Sequence, residues 1–150
     1  AYEGDPNAVK LPSPALAGDA LDFSFSGIKT ATLNYLNGMA QKGEEINRAN
    51  VAASYTNGIV GAIVKKTEQA LKQTNTKTLV LAGGVAANSH LRGALEALCR
   101  SAGVRLAMPD RSLCGDNGAM IAWAGLENFA NGNTVQNPIA PRPRWPLTEL

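Results

Sequence analysis

Two segments of this 150-residue chain carry residues whose types and spacing could do chemistry. Gly83-Gly-Val-Ala-Ala-Asn88 follows one short apolar run, and Pro109-Asp-Arg-Ser-Leu-Cys-Gly-Asp-Asn-Gly118 follows another. A glycine pair lets main chain approach a ligand closely and donate N–H groups to it. Asn88 stands at the start of a helical pattern, where the helix dipole and free amides favour an anionic group such as a phosphate. Asp116 is a hard oxygen donor that could hold a divalent metal. Each feature also has a plain structural reading. Gly83-Gly84 would then be a strand-to-helix turn, and Asn88 and Asp116 would be helix N-caps. A glycine pair alone does not specify a site.

The other reactive residues narrow the chemistry. His90 is the only histidine, so a His-based metal cluster or a Ser-His-Asp triad cannot be assembled within this chain. It falls on the first turn of a helix and is expected to face solvent. Cys99 reads as a packing residue on the same helix, and Cys114 lies in the second segment with no Cys or His beside it in sequence. Ser24, Ser26 and Lys29 stand at a helix start, with Ser24 or Ser26 as the expected cap and Lys29 solvated. In the tail, Arg142, Arg144 and Trp145 form a basic-aromatic cluster of the kind that holds RNA by phosphate contact and stacking. A proline-rich tail that packs its Trp on the body is the commoner arrangement.

These residues must be positioned by an α/β, helix-rich body. Residues 1–24, with Pro6, Pro12, Pro14, Gly4 and Gly18, read as an extended lead-in. Ile28, Ala31, Tyr35 and Leu36 fall near one helical face, and Gly38 is placed to end that helix. A longer helix is predicted over 46–72, with Ala52, Tyr55, Ile59, Ile63 and Ala70 at three- and four-residue steps and Val60, Val64 and Leu71 widening the stripe. The continuous apolar run 78–82 predicts a strand buried on both faces. A helix over 89–102, with Leu91, Leu95, Leu98 and Ala102 on one side, is capped by Gly103. A second strand over 104–108 stops at Pro109, and a last helix runs from near Asp116 to about Phe129, ended by Gly132. Residues 25–132 thus make the body, and 133–150 a proline-rich tail.

Strand, helix, strand, helix implies a right-handed parallel βαβ unit. Ligands of such sheets sit beyond the carboxyl ends of the strands, which places both chemistry-bearing segments on one crevice. Two parallel strands cannot make a covered sheet by themselves, so further strands are expected from elsewhere.

Composition agrees with a soluble globular domain: 45% hydrophobic, 17% charged, formal net charge +2. That charge is too small to argue nucleic-acid binding on its own. Two cysteines are too few for a disulfide-stapled secreted domain, and no apolar run reaches the roughly 18 residues of a membrane span. A cytoplasmic, soluble protein with free thiols is expected, with no membrane partner. The chain opens at Ala1 on a loop-like stretch and reads as starting inside something longer.

Three segments together resemble the TsaD family: Phe23-Ser-Phe-Ser-Gly-Ile-Lys-Thr30, Leu81-Ala-Gly-Gly-Val-Ala-Ala-Asn88 with Leu91-Arg92, and Cys114-Gly-Asp-Asn-Gly-Ala-Met-Ile-Ala122. The ending Arg142-Pro-Arg-Trp-Pro146 matches too. The resemblance runs in order over nearly the whole chain but covers only about the C-terminal half of a family member. It implies the C-terminal half of an actin-like ATPase-domain fold, whose two similar halves surround a cleft. It implies transfer of a threonylcarbamoyl group from threonylcarbamoyl-adenylate to N6 of adenosine 37, in tRNAs reading codons that begin with A. By the same resemblance Asn88 matches the adenylate-contacting Asn, and Gly83 and Gly84 match nucleotide-side glycines. Asp116 matches a ligand of one divalent metal, iron or zinc. In the family that site is completed by an HxxxH pair which this chain lacks, and Gly115 stands where the motif often has Thr.

The implied partners are tRNA and other subunits of the threonylcarbamoyladenosine synthesis complex, a TsaB-like paralogue and a TsaE-like ATPase if the source is bacterial. The fragment alone is expected to be inactive and to bind metal weakly or not at all. Two other readings exist. A metallopeptidase, the family's older glycoprotease label, is opposed by the single histidine and the lack of HExxH. A non-catalytic binding or assembly module would have apolar surface for a partner to cover. Self-association through the 46–72 helix and the edge beside 78–82 is expected, unless residues 1–24 fold back over that surface.

Overall fold

The computed structural model describes residues 3–18, 20–134, 143, 144, 146 and 148. It divides into two units, residues 1–114 and 115–150.

In the first unit, helix α1 (Phe25–Lys42) leads to α2 (Arg48–Thr74), strand β1 (Thr78–Val80), α3 (Ser89–Ala102) and strand β2 (Arg105–Ala107). One 3-10 turn, Gly84–Ala87, follows β1, and another, Arg111–Leu113, follows β2. The strands are parallel, with Leu79 opposite Leu106, so β1-α3-β2 is the expected βαβ unit. Local signals set the helix limits. Asn47 caps α2, its side chain accepting from the Asn50 N–H at 3.0 Å. Gly43 and Gly103 end α1 and α3 in the left-handed region, at φ 68° and 65°. At both ends the glycine N–H and the next N–H return to helix carbonyls, the pairing of a Schellman motif. Gly38, expected to stop α1, lies inside it. Half-buried Met39 just beyond it carries the packed face onward, and Gly43 makes the stop.

The core gathers where α2 meets α3 and α1. Ile28, Leu91, Leu95 and Cys99 are all buried to 3% exposure or less. Each such leucine contributes roughly 1.5–3 kcal/mol by leaving water. The packing of α2 differs from the expected stripe. Ala52 is exposed and Ile59 and Ile63 are half-buried, while Ser54, Ala62 and Lys66 are buried. The reason is the lead-in, which lies along α2 and takes its hydrogen bonds there. Asn50 Oδ1 accepts from the Asp5 N–H at 2.9 Å, and Ser54 Oγ accepts from the Val9 N–H at 3.0 Å. Lys66 Nζ donates to the carbonyls of Gly18 and Ala20. Contact is close: a Cβ on Gly4 would stand 2.0 Å from the Ala49 carbonyl oxygen. The described residues of the lead-in therefore fold back on α2, with one antiparallel bridge among them, Ala15 to Phe23.

The strand expectation is corrected in one respect. Thr78 and Val80 of β1 are exposed and Leu79 is half-buried, so β1 is not covered on both faces. Among the described residues the sheet has two strands, and the helices beside them leave the outer positions open.

The second unit holds α4 (Gly118–Ala130), stopped by Gly132 at φ 72°. No residue of α4 is buried, and Ile121, Trp123 and Phe129 are at least 65% exposed. Among the described residues no helix is long and apolar enough to cross a membrane.

Candidate functional site

The turn after β1 is built from local rules. Leu81 N–H donates to the Ala107 carbonyl at 2.9 Å, carrying the ladder one residue past the strand. The chain then breaks at Gly83, whose φ of 86° is a conformation that side-chain-bearing residues rarely adopt. Gly83 O accepts from Ala86 N–H, and Val85 O from Asn88 N–H, which closes the turn. Gly83 and Gly84 are exposed, and a Cβ on either would meet no atom within 4 Å. The glycines thus present bare main chain at the carboxyl end of β1.

Asn88 ends this turn and begins α3. Its Oδ1 accepts from the Leu91 N–H at 3.0 Å, so it is the helix N-cap. Capping and ligand contact are compatible. The cap engages the amide oxygen, and the Nδ2 donors of the exposed side chain are what a phosphate or ribose oxygen would meet.

The segment after β2 converges on the same place. Asp110 Oδ1 accepts from Ser112 N–H at 2.9 Å and from Ser112 Oγ at 2.8 Å. The Ser112 main-chain N–H, then its hydroxyl, hold the Asp110 carboxyl below its ordinary value. Cys114, at 4% exposure, closes the turn. The Arg92 side chain joins the two turns. Arg92 donates Nε to Ala86 O at 2.5 Å, Nη2 to Pro109 O at 2.7 Å, and Nη2 to Cys114 Sγ at 3.1 Å. Of the two segments expected on one crevice, the structure joins Gly83–Asn88 to Pro109–Cys114 within the first unit, while Gly115–Gly118 belongs to the second. The sequence places Arg92 beside Leu91 in the family resemblance and gives it no role of its own.

Asp116 belongs to the second unit and is exposed. It is not the cap of α4. Asn117, in extended backbone immediately before the helix, takes that position, its Oδ1 accepting from Met120 N–H at 3.0 Å. Among the described residues, no group of three or more His, Cys, Asp or Glu side chains could hold a metal ion.

The remaining candidates divide plainly. His90 is exposed on the first turn of α3, beside a cavity of about 370 Å³ that Gly4, Asn57 and Ala94 also line. Cys99 packs in the core, and burial pushes its thiol up from the usual value. Ser24 occupies the N-cap position of α1 without a side-chain bond. Its N–H donates instead to Pro14 O at 2.8 Å, so the lead-in and not a hydroxyl fixes that end. Lys29 is exposed as expected. Arg142 and Trp145 lie outside the described residues, and Arg144 is exposed.

Two apolar cavities flank α2. One, about 660 Å³, reaches from stacked Phe23 and Phe25 across Ile59 and Ile63 to Val85 and Asn88. The other, about 530 Å³, lies between α1 and α2 with Lys29 and Arg48 among its lining residues.

Comparison with known proteins adds an independent finding. The family described as tRNA N6-adenosine threonylcarbamoyltransferase matches residues 1–123. A tRNA N6-adenosine threonylcarbamoyltransferase of Desulfitobacterium hafniense (strain Y51) is 51% identical over 129 residues, which is 86% of this chain and 38% of that relative. The chain thus spans well under half the length of the relative it matches.

Proposed function

We infer the function from a plain premise: this chain belongs to the TsaD family of tRNA N6-adenosine threonylcarbamoyltransferases. The whole protein would transfer a threonylcarbamoyl group from threonylcarbamoyl-adenylate to N6 of adenosine 37, in tRNAs reading codons that begin with A. The N6 amine attacks the carbamoyl carbon, the bond from that carbon to the phosphate oxygen breaks, and AMP and a proton leave. In this reading the chain is the C-terminal part of an actin-like fold, and it supplies the nucleotide side of the cleft.

The observation that carries the reading is the Gly83–Asn88 turn at the carboxyl end of β1. Bare glycine main chain, a helix N-terminus and an amide donor meet there, which suits an adenylate. Gly83 and Gly84 would approach the nucleotide, and Asn88 Nδ2 would donate to it.

The described residues do not make a metal site on their own, since Asp116 offers one exposed carboxylate and a stable site needs about three protein ligands or more. Asp116 is proposed as a single ligand of an iron or zinc site that other parts of the longer protein would complete. The partners proposed are tRNA, a TsaB-like paralogue and a TsaE-like ATPase, in the cytoplasm.

The test uses the full-length protein with its partner subunits, unmodified tRNA and threonylcarbamoyl-adenylate, followed by nucleoside mass analysis. Threonylcarbamoyladenosine should appear in the tRNA digest. A digest that stays unmodified with active partners present would contradict the reading.

A further inference from the structure

We propose that Arg92 is a positioning residue: it holds the Gly83–Ala87 turn and the Asp110–Cys114 turn in one register, and so fixes the shape of the main chain offered to the nucleotide. The part of this that concerns the nucleotide rests on the reading above. The hold on the two turns does not.

Arg92 sits on the first turn of α3 at 9% exposure. A side chain needed there only to pack would be apolar, because burying a guanidinium costs free energy unless its donors are matched. Its acceptors are Ala86 O in the first turn, and Pro109 O and Cys114 Sγ at the two ends of the second segment. None of the three is a carboxylate, so this is not an ion pair that happens to be buried. It is a fork whose prongs reach two main-chain carbonyls 23 residues apart in sequence, Ala86 and Pro109. The planar, rigid guanidinium can meet both at once, whereas an ammonium is a single point charge. Between these turns the described structure has no strand bond beyond Leu81 to Ala107. Arg92 ties the two turns past the ends of the strands, where the ligand is expected.

The experiment uses the full-length protein and three variants, Arg92→Met, Arg92→Lys and Asn88→Asp. Alkylation of Cys114 and Cys99 is followed by peptide mass analysis, and threonylcarbamoyl-adenylate affinity by calorimetry. Cys114 Sγ accepts from Arg92, and Cys99, buried on α3, is an internal control. In Arg92→Met and Arg92→Lys alike, Cys114 should react roughly tenfold faster or more, the scale for losing one charged hydrogen bond from a closed segment. Cys99 should keep its wild-type rate. Adenylate affinity should fall about tenfold in both variants, because Lys keeps the charge and loses the fork. Equal acceleration of both cysteines would reduce Arg92 to general stability and overturn the proposal. Wild-type behaviour of Arg92→Lys would assign the effect to charge and overturn it too, as would unchanged Cys114 reactivity in Arg92→Met. If Asn88→Asp binds adenylate like wild type, the nucleotide reading fails separately, while the cysteine rates still decide whether Arg92 ties the turns.

Discussion

Lys66 is buried at 4% exposure, and its ammonium is spent on the Gly18 and Ala20 carbonyls of the lead-in. Replacing it with Met keeps the volume but strands two carbonyls. Lys66→Met should cost about 1–3 kcal/mol of stability and make the lead-in more open to protease, measurable by denaturant titration and limited proteolysis. Asp110 gives a pH prediction. Its carboxyl is lowered by the Ser112 N–H and hydroxyl, so the folded state favours the ionised form. The contribution is present above the ordinary carboxylate range and fades as pH falls through the lowered folded value. In the residue-112 amide resonance followed by NMR, the titration should come below the usual Asp range, and Ser112→Ala, which removes the hydroxyl but keeps the main-chain N–H, should move it only part of the way back up. Neither residue's role was equally legible. Asp110 could be read locally, two residues from its partner, whereas the partners of Lys66 lie 46 and 48 residues away. Asn88 shows the intermediate case: its cap follows from position alone, and its spare amide donors become meaningful only beside Gly83 and Gly84.

At the scale of elements, α3 was legible to the residue because Asn88 and Gly103 flank it with unambiguous start and stop signals. The end of α1 was not, because Gly38 and Gly43 look alike in sequence and only packing decides which turns left-handed. Paired substitutions test that distinction. Gly38→Ala, where a Cβ has open space inside the helix, should stabilise by about 0.5–1 kcal/mol. Gly43→Ala, at φ 68°, should destabilise by about 1 kcal/mol. Thermal denaturation of both settles it, and a stabilising Gly43→Ala would contradict the assigned cap. The start of α4 misled for a similar reason. Asp116 and Asn117 are both good caps, and the backbone places Asn117 adjacent to the first turn. The stripe on α2 misled differently, since a segment from 40 or more residues earlier in the chain claims its small and polar ridge.

At the scale of the whole molecule, the family and the presence of turns after both strands could be read from sequence, while the fold-back of the lead-in could only be weighed as one alternative. That fold-back covers part of α2 but leaves Val80 and Val85 at 68% and 67% exposure. Exposed apolar surface and a short uncovered sheet favour association. The isolated 150-residue chain should gain mass with concentration in light scattering; a constant monomer mass would show that the lead-in covers enough.

Whether the Gly83–Asn88 turn contacts the adenylate is decided by calorimetric titration of threonylcarbamoyl-adenylate into full-length wild type, Asn88→Ala and Asn88→Asp. Asp keeps the acceptor that caps Leu91 N–H, so its stability should stay within about 0.5 kcal/mol of wild type, whereas Ala should lose about 1 kcal/mol with the cap. Both should bind adenylate more weakly by roughly 1–3 kcal/mol, because both lose the Nδ2 donors. Unchanged affinity in the two variants would remove Asn88 from the site and contradict the account.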